Sequence, residues 1–202
     1  LDHADSGTVT VGDPVAPPVT SYVFQEPRLL PWRTVSGNLR FVLDEGGESA
    51  RSKVAYWLER VGLAGRGDDY PRQLSIGQRQ RVAVARSLLV KPDVLFMDEP
   101  FSSLDELTAT RMREELLELW QELGCTVVFV THNPLEAAFL ADRIVVMSRG
   151  PGRIVEDLTV ARWLPRPRDS DDPKLWEVSR MAVRALRGNG RTPVVHEEMQ
   201  GA

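Results

Sequence analysis

The sequence has 202 residues, of which 42% are hydrophobic and 27% are charged, and its formal net charge is −4. This composition is typical of a globular protein with one domain, or one domain with a small addition. A chain with this acidic balance lacks the broad basic field that holds nucleic acid through its phosphates, so no nucleic-acid partner is expected. The single cysteine, Cys125, cannot form an internal disulfide, which suits a reducing compartment.

The predicted elements alternate between short strands and amphipathic helices. Strands are predicted, in chain order, at Thr8–Gly12, Thr20–Phe24, Val94–Met97, Thr126–Thr131 and Arg143–Met147. Helices are predicted at Ser49–Leu63, Gln78–Leu89, Glu106–Leu123, Pro134–Ala141 and Lys174–Leu186. Strands and helices that alternate through short links indicate a parallel sheet covered by helices. The apolar runs are too short to span a bilayer, so any membrane association is expected to come through a partner.

The run Val94-Leu95-Phe96-Met97-Asp98-Glu99-Pro100 is an apolar strand that ends in two adjacent carboxylates. Burying charge is costly without a partner, and ligands of open α/β sheets bind at the carboxyl ends of the strands. One carboxylate there can hold Mg²⁺ through water, and the next can act on a water molecule as its general base. The alternative is a strand followed by an ordinary acidic turn.

A second pattern is Leu74-Ser75-Ile76-Gly77-Gln78, which leads directly into a helix rich in arginine. Ser75 is a favourable N-cap, and Gly77 permits close approach of a ligand to the backbone. The free N–H groups and dipole of a helix start can bind phosphate. By itself, the segment is equally compatible with a capped helix that has a solvated arginine face.

Together these motifs resemble the ATP-binding subunits of ABC transporters, whose signature reads LSGGQ and whose Walker B strand ends in Asp-Glu. Gln25 matches the Q-loop glutamine, Ser102-Ser103-Leu104-Asp105 matches the D-loop, and His132 matches the switch histidine. The five motifs follow the family's order over about the first four-fifths of the chain. The segments 24–35 and 164–168 are similar to importers for nitrate, sulfonate or taurine.

The resemblance implies a P-loop NTPase fold of the ABC ATPase type with a helical subdomain, and an ATPase that energises an importer for a small anionic solute. The implied cofactors are ATP and Mg²⁺. The implied partners are a second copy in a head-to-tail homodimer, membrane permease subunits and, indirectly, a solute-binding protein. Peripheral attachment to the cytoplasmic side of the membrane is implied as well.

The resemblance also assigns site residues. It implies catalytic roles for Glu99, His132 and Gln25, nucleotide-binding roles for Ser75, Gly77, Gln78 and Asp105, and magnesium-binding roles for Asp98 and Gln25.

Two departures from the family pattern stand out. Ile76 replaces the usual glycine of the signature, and no Gly-x-x-x-x-Gly-Lys-Ser/Thr P-loop occurs in these residues. We expect the P-loop to precede Leu1, in which case the domain is N-terminally truncated. The chain alone is then expected to bind ATP weakly or not at all and to be inactive. The expected ABC ATPase domain covers residues 1–160, with the helical subdomain at about 40–90, and residues 161–202 form an extension with one helix and a flexible tail. Two alternatives are a truncated, non-catalytic module and a non-transporter ABC ATPase.

Overall fold

The computed structural model describes residues 5–12 and 16–188. The chain divides into two compact units between Val130 and Thr131. A three-stranded parallel sheet lies in the first unit, formed by β1 (Thr20–Val23), β2 (Val94–Asp98) and β3 (Thr126–Val130) in the order β1-β2-β3. β2 is the central strand, and its apolar residues are largely buried, as expected for a strand covered on both faces.

The strand register brings the three carboxyl ends to one edge of the sheet. Val23 pairs with Met97, and Asp98 pairs with Val130. The chain therefore leaves β1 toward Gln25 and leaves β2 toward Glu99 at the same edge. This is the edge where open α/β sheets bind ligands.

The described part of the first unit also contains the α-helices α1 (Val35–Arg40), α2 (Gly47–Arg60), α3 (Ile76–Leu88) and α4 (Glu106–Leu123), with a short 3-10 helix at Pro71–Gln73. The first three contact one another, and α3 also contacts β1. The helical periodicity predicted for α2 is confirmed, since its apolar side chains at Val54, Trp57 and Leu58 are buried. α4 has the predicted bounds and ends at Gly124, whose φ of 63° suits a residue without a side chain.

The second unit contains α5 (Pro134–Leu140), β4 (Ile144–Met147), β5 (Ile154–Leu158) and α6 (Pro173–Arg187). β4 and β5 form an antiparallel pair, next to which Arg143 forms an ion pair with Asp157. α6 contacts α5 and both strands.

Several features differ from the sequence-based expectations. β4 pairs with β5 in a separate antiparallel sheet, because the two strands are joined by a short connection that lets them pair locally. The helix α1 was not predicted. Residues 8–12 do not form the expected strand, since a segment of high β-propensity forms a strand only where a partner pairs with it. Within residues 5–12 and 16–188, no helix is long and apolar enough to cross a membrane.

The predicted domain boundary near residue 160 stays a prediction, as does a helical subdomain at about 40–90. The division between the compact units falls earlier in the chain, because β4, β5, α5 and α6 contact one another. The predicted flexible tail lies, from residue 189 onward, outside the described residues.

Candidate nucleotide site

The two carboxylates at the end of β2 are half-buried. Asp98 is the last residue of the strand, and the next residue, Glu99, has a positive φ of 42°. The Glu99 N–H donates to the Val130 carbonyl at 2.9 Å, which continues the contact between β2 and β3 by one residue. A left-handed conformation is costly for glutamate, by about 1–3 kcal/mol. The surrounding structure therefore holds Glu99 in a strained conformation of the kind that is concentrated at functional sites.

A chain of hydrogen bonds joins the end of β1 to Glu99. The Gln25 side-chain amide donates to Ser102 Oγ at 3.2 Å, and Ser102 Oγ donates to the Glu99 carbonyl oxygen at 3.0 Å. The Ser102 N–H donates to the same carbonyl at 3.2 Å. The structure thus links the predicted Q-loop glutamine, through Ser102, to the backbone of the residue predicted as the general base. No site role was predicted for Ser102, although it lies within the D-loop motif that could have indicated one.

The signature residues form a capping box at the start of α3. Ser75 Oγ accepts a hydrogen bond from the Gln78 N–H at 3.2 Å, and Gln78 Oε1 accepts one from the Ser75 N–H at 2.9 Å. This reciprocal pair fixes the point where the helix begins. Ile76 is 46% exposed, so its side chain lies at the surface rather than in the core.

Gly77 packs closely against the neighbouring segment. A Cβ atom at this position would lie 3.2 Å from Thr108 Cγ2 and 3.6 Å from Leu104 Cδ2. The first distance is tighter than ordinary van der Waals contact. The close packing of α3 against the start of α4 therefore gives a reason for glycine here in addition to the predicted approach of a ligand.

Asp105 caps α4, because its carboxylate accepts a hydrogen bond from the Thr108 N–H at 3.0 Å. This bond holds the pKa of the Asp105 carboxyl below its usual range. The visible role of Asp105 is thus a helix cap, and its predicted role at the nucleotide stays a prediction.

Two side chains of α3 hold the backbone around Gln25. Gln80, which is fully buried, donates from its amide to the Phe24 carbonyl at 3.4 Å. Arg86 donates to the carbonyls of Pro27 and Arg28, both at 3.1 Å. The helix that begins with the signature therefore also fixes the Q-loop on both sides of Gln25, a contact that the sequence analysis did not anticipate.

His132 belongs to the second unit and is exposed in the loop between β3 and α5. The next residue, Asn133, caps α5 by accepting from the Leu135 N–H at 3.0 Å and the Glu136 N–H at 3.4 Å. On the other side of His132, the Thr131 hydroxyl donates to the Glu136 carboxylate at 2.7 Å and accepts from the Asn133 N–H at 3.0 Å. The residues on both sides of His132 are thus bound to the first turn of α5.

The possible metal ligands at the carboxyl ends of β1 and β2 are compatible with Mg²⁺ that is bound partly through water. In the described part of the chain, no group of three or more His, Cys, Asp or Glu side chains could hold a metal by itself. Asp98 and Gln25 offer one carboxylate and one amide oxygen. Such a small protein contribution fits Mg²⁺, which retains waters and is shared with substrate phosphates.

The order of motifs on a parallel sheet, with a capped signature helix beside the strand ends, is that of an ATP-binding cassette. The family model described as "ABC transporter" matches residues 4–102. The nitrate import ATP-binding protein NrtD of Synechocystis sp. is 44% identical over 180 residues, covering 86% of this chain and 66% of that protein. The aliphatic sulfonates import ATP-binding protein SsuB 2 of Streptomyces avermitilis is 45% identical over 186 residues, covering 92% of this chain and 71% of that protein.

Solved structures agree with these relatives. CbiO1 from Clostridium perfringens, described as part of the ABC transporter complex CbiONQ, is 30% identical with a TM-score of 0.63, covering 71% of this chain and 58% of that one. A dimeric ATP-binding cassette with ADP and Pi, in a post-hydrolysis state, is 34% identical with a TM-score of 0.55, covering 63% of this chain and 57% of that one.

The chain belongs to the ATP-binding subunits of ABC transporters, within the nitrate and sulfonate import group. The predicted ABC ATPase fold and the predicted family, one of transport-coupled ATPases, are both confirmed. The chain spans slightly less than two thirds of the nitrate relative and somewhat more of the sulfonate relative. Nucleotide binding follows from the family.

Proposed function

We propose that this chain is the ATP-hydrolysing subunit of an importer for a small anionic solute of the nitrate or sulfonate type. The observation that carries the proposal is the hydrogen-bond chain from Gln25 through Ser102 to the Glu99 backbone, at the carboxyl ends of β1 and β2. It links the Q-loop and the D-loop to the backbone of the residue that follows Asp98 at the end of β2. The solute class rests on the nitrate and sulfonate relatives.

At this edge, Asp98 would hold Mg²⁺ through water, and Gln25 would contribute its amide oxygen. Bound Mg²⁺ supplies positive charge that neutralises phosphate oxygens. Glu99 lies one residue beyond Asp98, and its backbone is held by Val130 and Ser102. In this proposal its carboxylate would accept a proton from the attacking water. His132 would contact the terminal phosphate.

The signature residues at the start of α3 would contact nucleotide that is held by another subunit. Ser75, Gly77 and Gln78 lie at the start of α3, where the helix dipole favours an anion, and Asp105 lies at the start of α4. We propose a head-to-tail homodimer in which each copy presents these residues to its partner's ATP. The dimeric cassette structure and the CbiONQ complex support both a dimer and attachment to permease subunits.

In this arrangement the subunit is peripheral to the cytoplasmic side of the membrane, and a solute-binding protein delivers the solute to the permease. No nucleic-acid partner is proposed. Closure of the dimer around ATP would drive the permease, and Gln25 would transmit the state of the metal site to it.

The experiment replaces Glu99 in a chimaera in which a Gly-x-x-x-x-Gly-Lys-Ser/Thr P-loop segment precedes residue 1. Glu99→Gln keeps the shape of the side chain but removes the base, so ATP binding should persist while steady-state hydrolysis falls by a factor of about 10²–10⁴. The matched control is Glu114→Gln, which changes an exposed carboxylate on α4 and should leave turnover unchanged. Turnover in the Glu99→Gln chimaera equal to that of its parent would refute the role of Glu99.

The same chimaera tests the class of function. If it binds ATP but does not hydrolyse it even when paired with its permease, the chain is a non-catalytic module. Uptake of labelled nitrate or alkanesulfonate into vesicles that contain the permease tests the solute class. Hydrolysis that neither solute system stimulates would contradict the importer assignment.

A further inference from the structure

The helix that follows His132 ends without a glycine cap. α5 has seven residues, and the backbone at Ala141 is extended, with φ of −93° and ψ of 141°. The last carbonyls of a helix have no partners within the helix, and a glycine in a left-handed conformation commonly supplies the missing contacts. At the end of α5 this solution is absent, so its carbonyls depend on groups from elsewhere in the chain.

Arg168 supplies most of these contacts. Its side chain is fully buried, and its Nη1 lies within hydrogen-bond distance of the carbonyls of Ala138 (3.1 Å), Phe139 (2.9 Å) and Ala141 (2.8 Å). Its Nε donates to the Leu164 carbonyl at 2.9 Å. Burial lowers the pKa of the Arg168 guanidinium to about 10, which still leaves it protonated at neutral pH.

Arg166 completes the contact. It donates to the Leu140 carbonyl, and its Nε pairs with the Asp142 carboxylate at 3.0 Å. Arg168 Nη2 lies 3.2 Å from the same Asp142 oxygen. The two arginines, which we call the arginine clamp, therefore bind four successive carbonyls at the end of α5.

The clamp matters because α5 is short. A helix of seven residues is not stable by itself in water, so its position is set by what holds its two ends. Its first turn is bound to Thr131 and Asn133, the two neighbours of His132. A displacement of α5 along its axis would therefore carry the loop around His132 with it.

We propose that Arg168, together with Arg166, is a positioning residue for His132: it fixes the C-terminal end of α5 and thereby the loop 131–133. The functional consequence rests on the proposed function, in which His132 contacts the nucleotide. The segment 164–168 then helps to set the position of His132, although it lies more than thirty residues beyond His132 in the sequence.

The test uses NMR of the 202-residue chain without nucleotide, labelled at the histidine ring carbons. The sequence has three histidines, and a His132→Gln variant identifies the signal of His132 by its loss. In Arg168→Gln, we expect the His132 ring signal to move. Amide exchange in α5 should rise by about tenfold or more, since hydrogen bonds from a charged donor are lost. The matched control is Arg143→Gln, which removes another arginine of the same unit together with its ion pair to Asp157 and should leave the His132 signal unchanged.

Arg168→Lys is the second variant, should Arg168→Gln fail to fold. A single ammonium keeps the charge but cannot reach the carbonyls of α5 and Leu164 in the manner of a guanidinium fork, so the shifts should have the same direction and smaller size. An unchanged His132 signal in folded Arg168→Gln or Arg168→Lys would overturn the positioning proposal. An increase in amide exchange that is spread evenly over the second unit would also overturn the positioning proposal.

Failure of the proposed function would look different. If His132→Gln in the P-loop chimaera hydrolyses ATP at the parent's rate while Arg168→Gln still moves the His132 signal, the clamp positions the loop but His132 has no role in hydrolysis. If Arg168→Gln lowers hydrolysis as His132→Gln does, both proposals are supported.

Discussion

Replacing Asn38 tests how the loop after the Q-loop is held. Asn38 lies in α1 with no exposed surface, and its side-chain oxygen accepts a hydrogen bond from the Leu30 N–H at 2.7 Å. Its NH₂ group lies near the carbonyls of Leu30 (3.1 Å), Arg33 (3.2 Å) and Thr34 (3.0 Å). This one side chain thus holds the backbone on both sides of Trp32, which is 72% exposed.

The expected cost follows from the hydrogen bonds. An NH₂ group has two hydrogens, so the three carbonyls share two full bonds, and the bond from Leu30 brings the total to about three. At about 1 kcal/mol each, Asn38→Ala should lower the free energy of unfolding by about 3 kcal/mol. The control Ser52→Ala removes an exposed hydroxyl on α2 and should change the free energy of unfolding by less than about 0.5 kcal/mol.

An Asn38→Asp variant separates the acceptor from the donors. The carboxylate still accepts from Leu30 but places negative charge against three carbonyls, so at pH 7 it should destabilise at least as much as alanine. Its folded-state pKa would be raised above the ordinary value of about 3.9, so the penalty is present above that value and shrinks as the pH falls toward it. Urea unfolding at several pH values measures both effects. A loss below about 1 kcal/mol for Asn38→Ala, or a pH-independent cost for Asn38→Asp, would refute the reasoning.

Two further predictions concern the contacts around the site. Arg86→Gln removes the donors to the Pro27 and Arg28 carbonyls, so amide exchange should rise in segment 25–29 and remain unchanged in α4. Equal amide exchange of segment 25–29 in the variant and the parent would contradict the role of Arg86. At Asp105, the hydrogen bond from Thr108 holds the pKa of the carboxyl below its ordinary value of 3.8. The stability that the ionised carboxylate adds is therefore present above pH 3.8 and is lost as the pH falls through the lower pKa of the folded state. Asp105→Asn should keep the helix cap and weaken the dependence of the melting temperature on acid pH, whereas Asp105→Ala should lose the cap at every pH. The same dependence of melting temperature on pH in the parent and in Asp105→Asn would contradict this role of the carboxylate.

The sequence predicted most of the regular elements, because their causes lie within a few residues. The apolar spacing of α2, the run of β2 and the full length of α4 all agree with the structure. Ser75 followed three residues later by Gln78 is a local capping pattern, and the structure contains that box. The strand-end carboxylates Asp98 and Glu99 were identified for the same reason, since a strand and the turn after it are contiguous.

Only the tertiary structure showed which distant groups meet. The bond from Gln25 to Ser102 spans 77 positions, and the bond from Arg168 to Ala138 spans 30. The pairing of β4 with β5 also required the fold, since the sequence predicted the β4 segment as part of the parallel sheet and did not predict β5. The physical reason is that the acceptors in these contacts are mostly backbone carbonyls, which every residue carries. A buried guanidinium or amide must find such partners, but its sequence neighbours do not indicate which ones, whereas periodicity and capping depend on those neighbours alone.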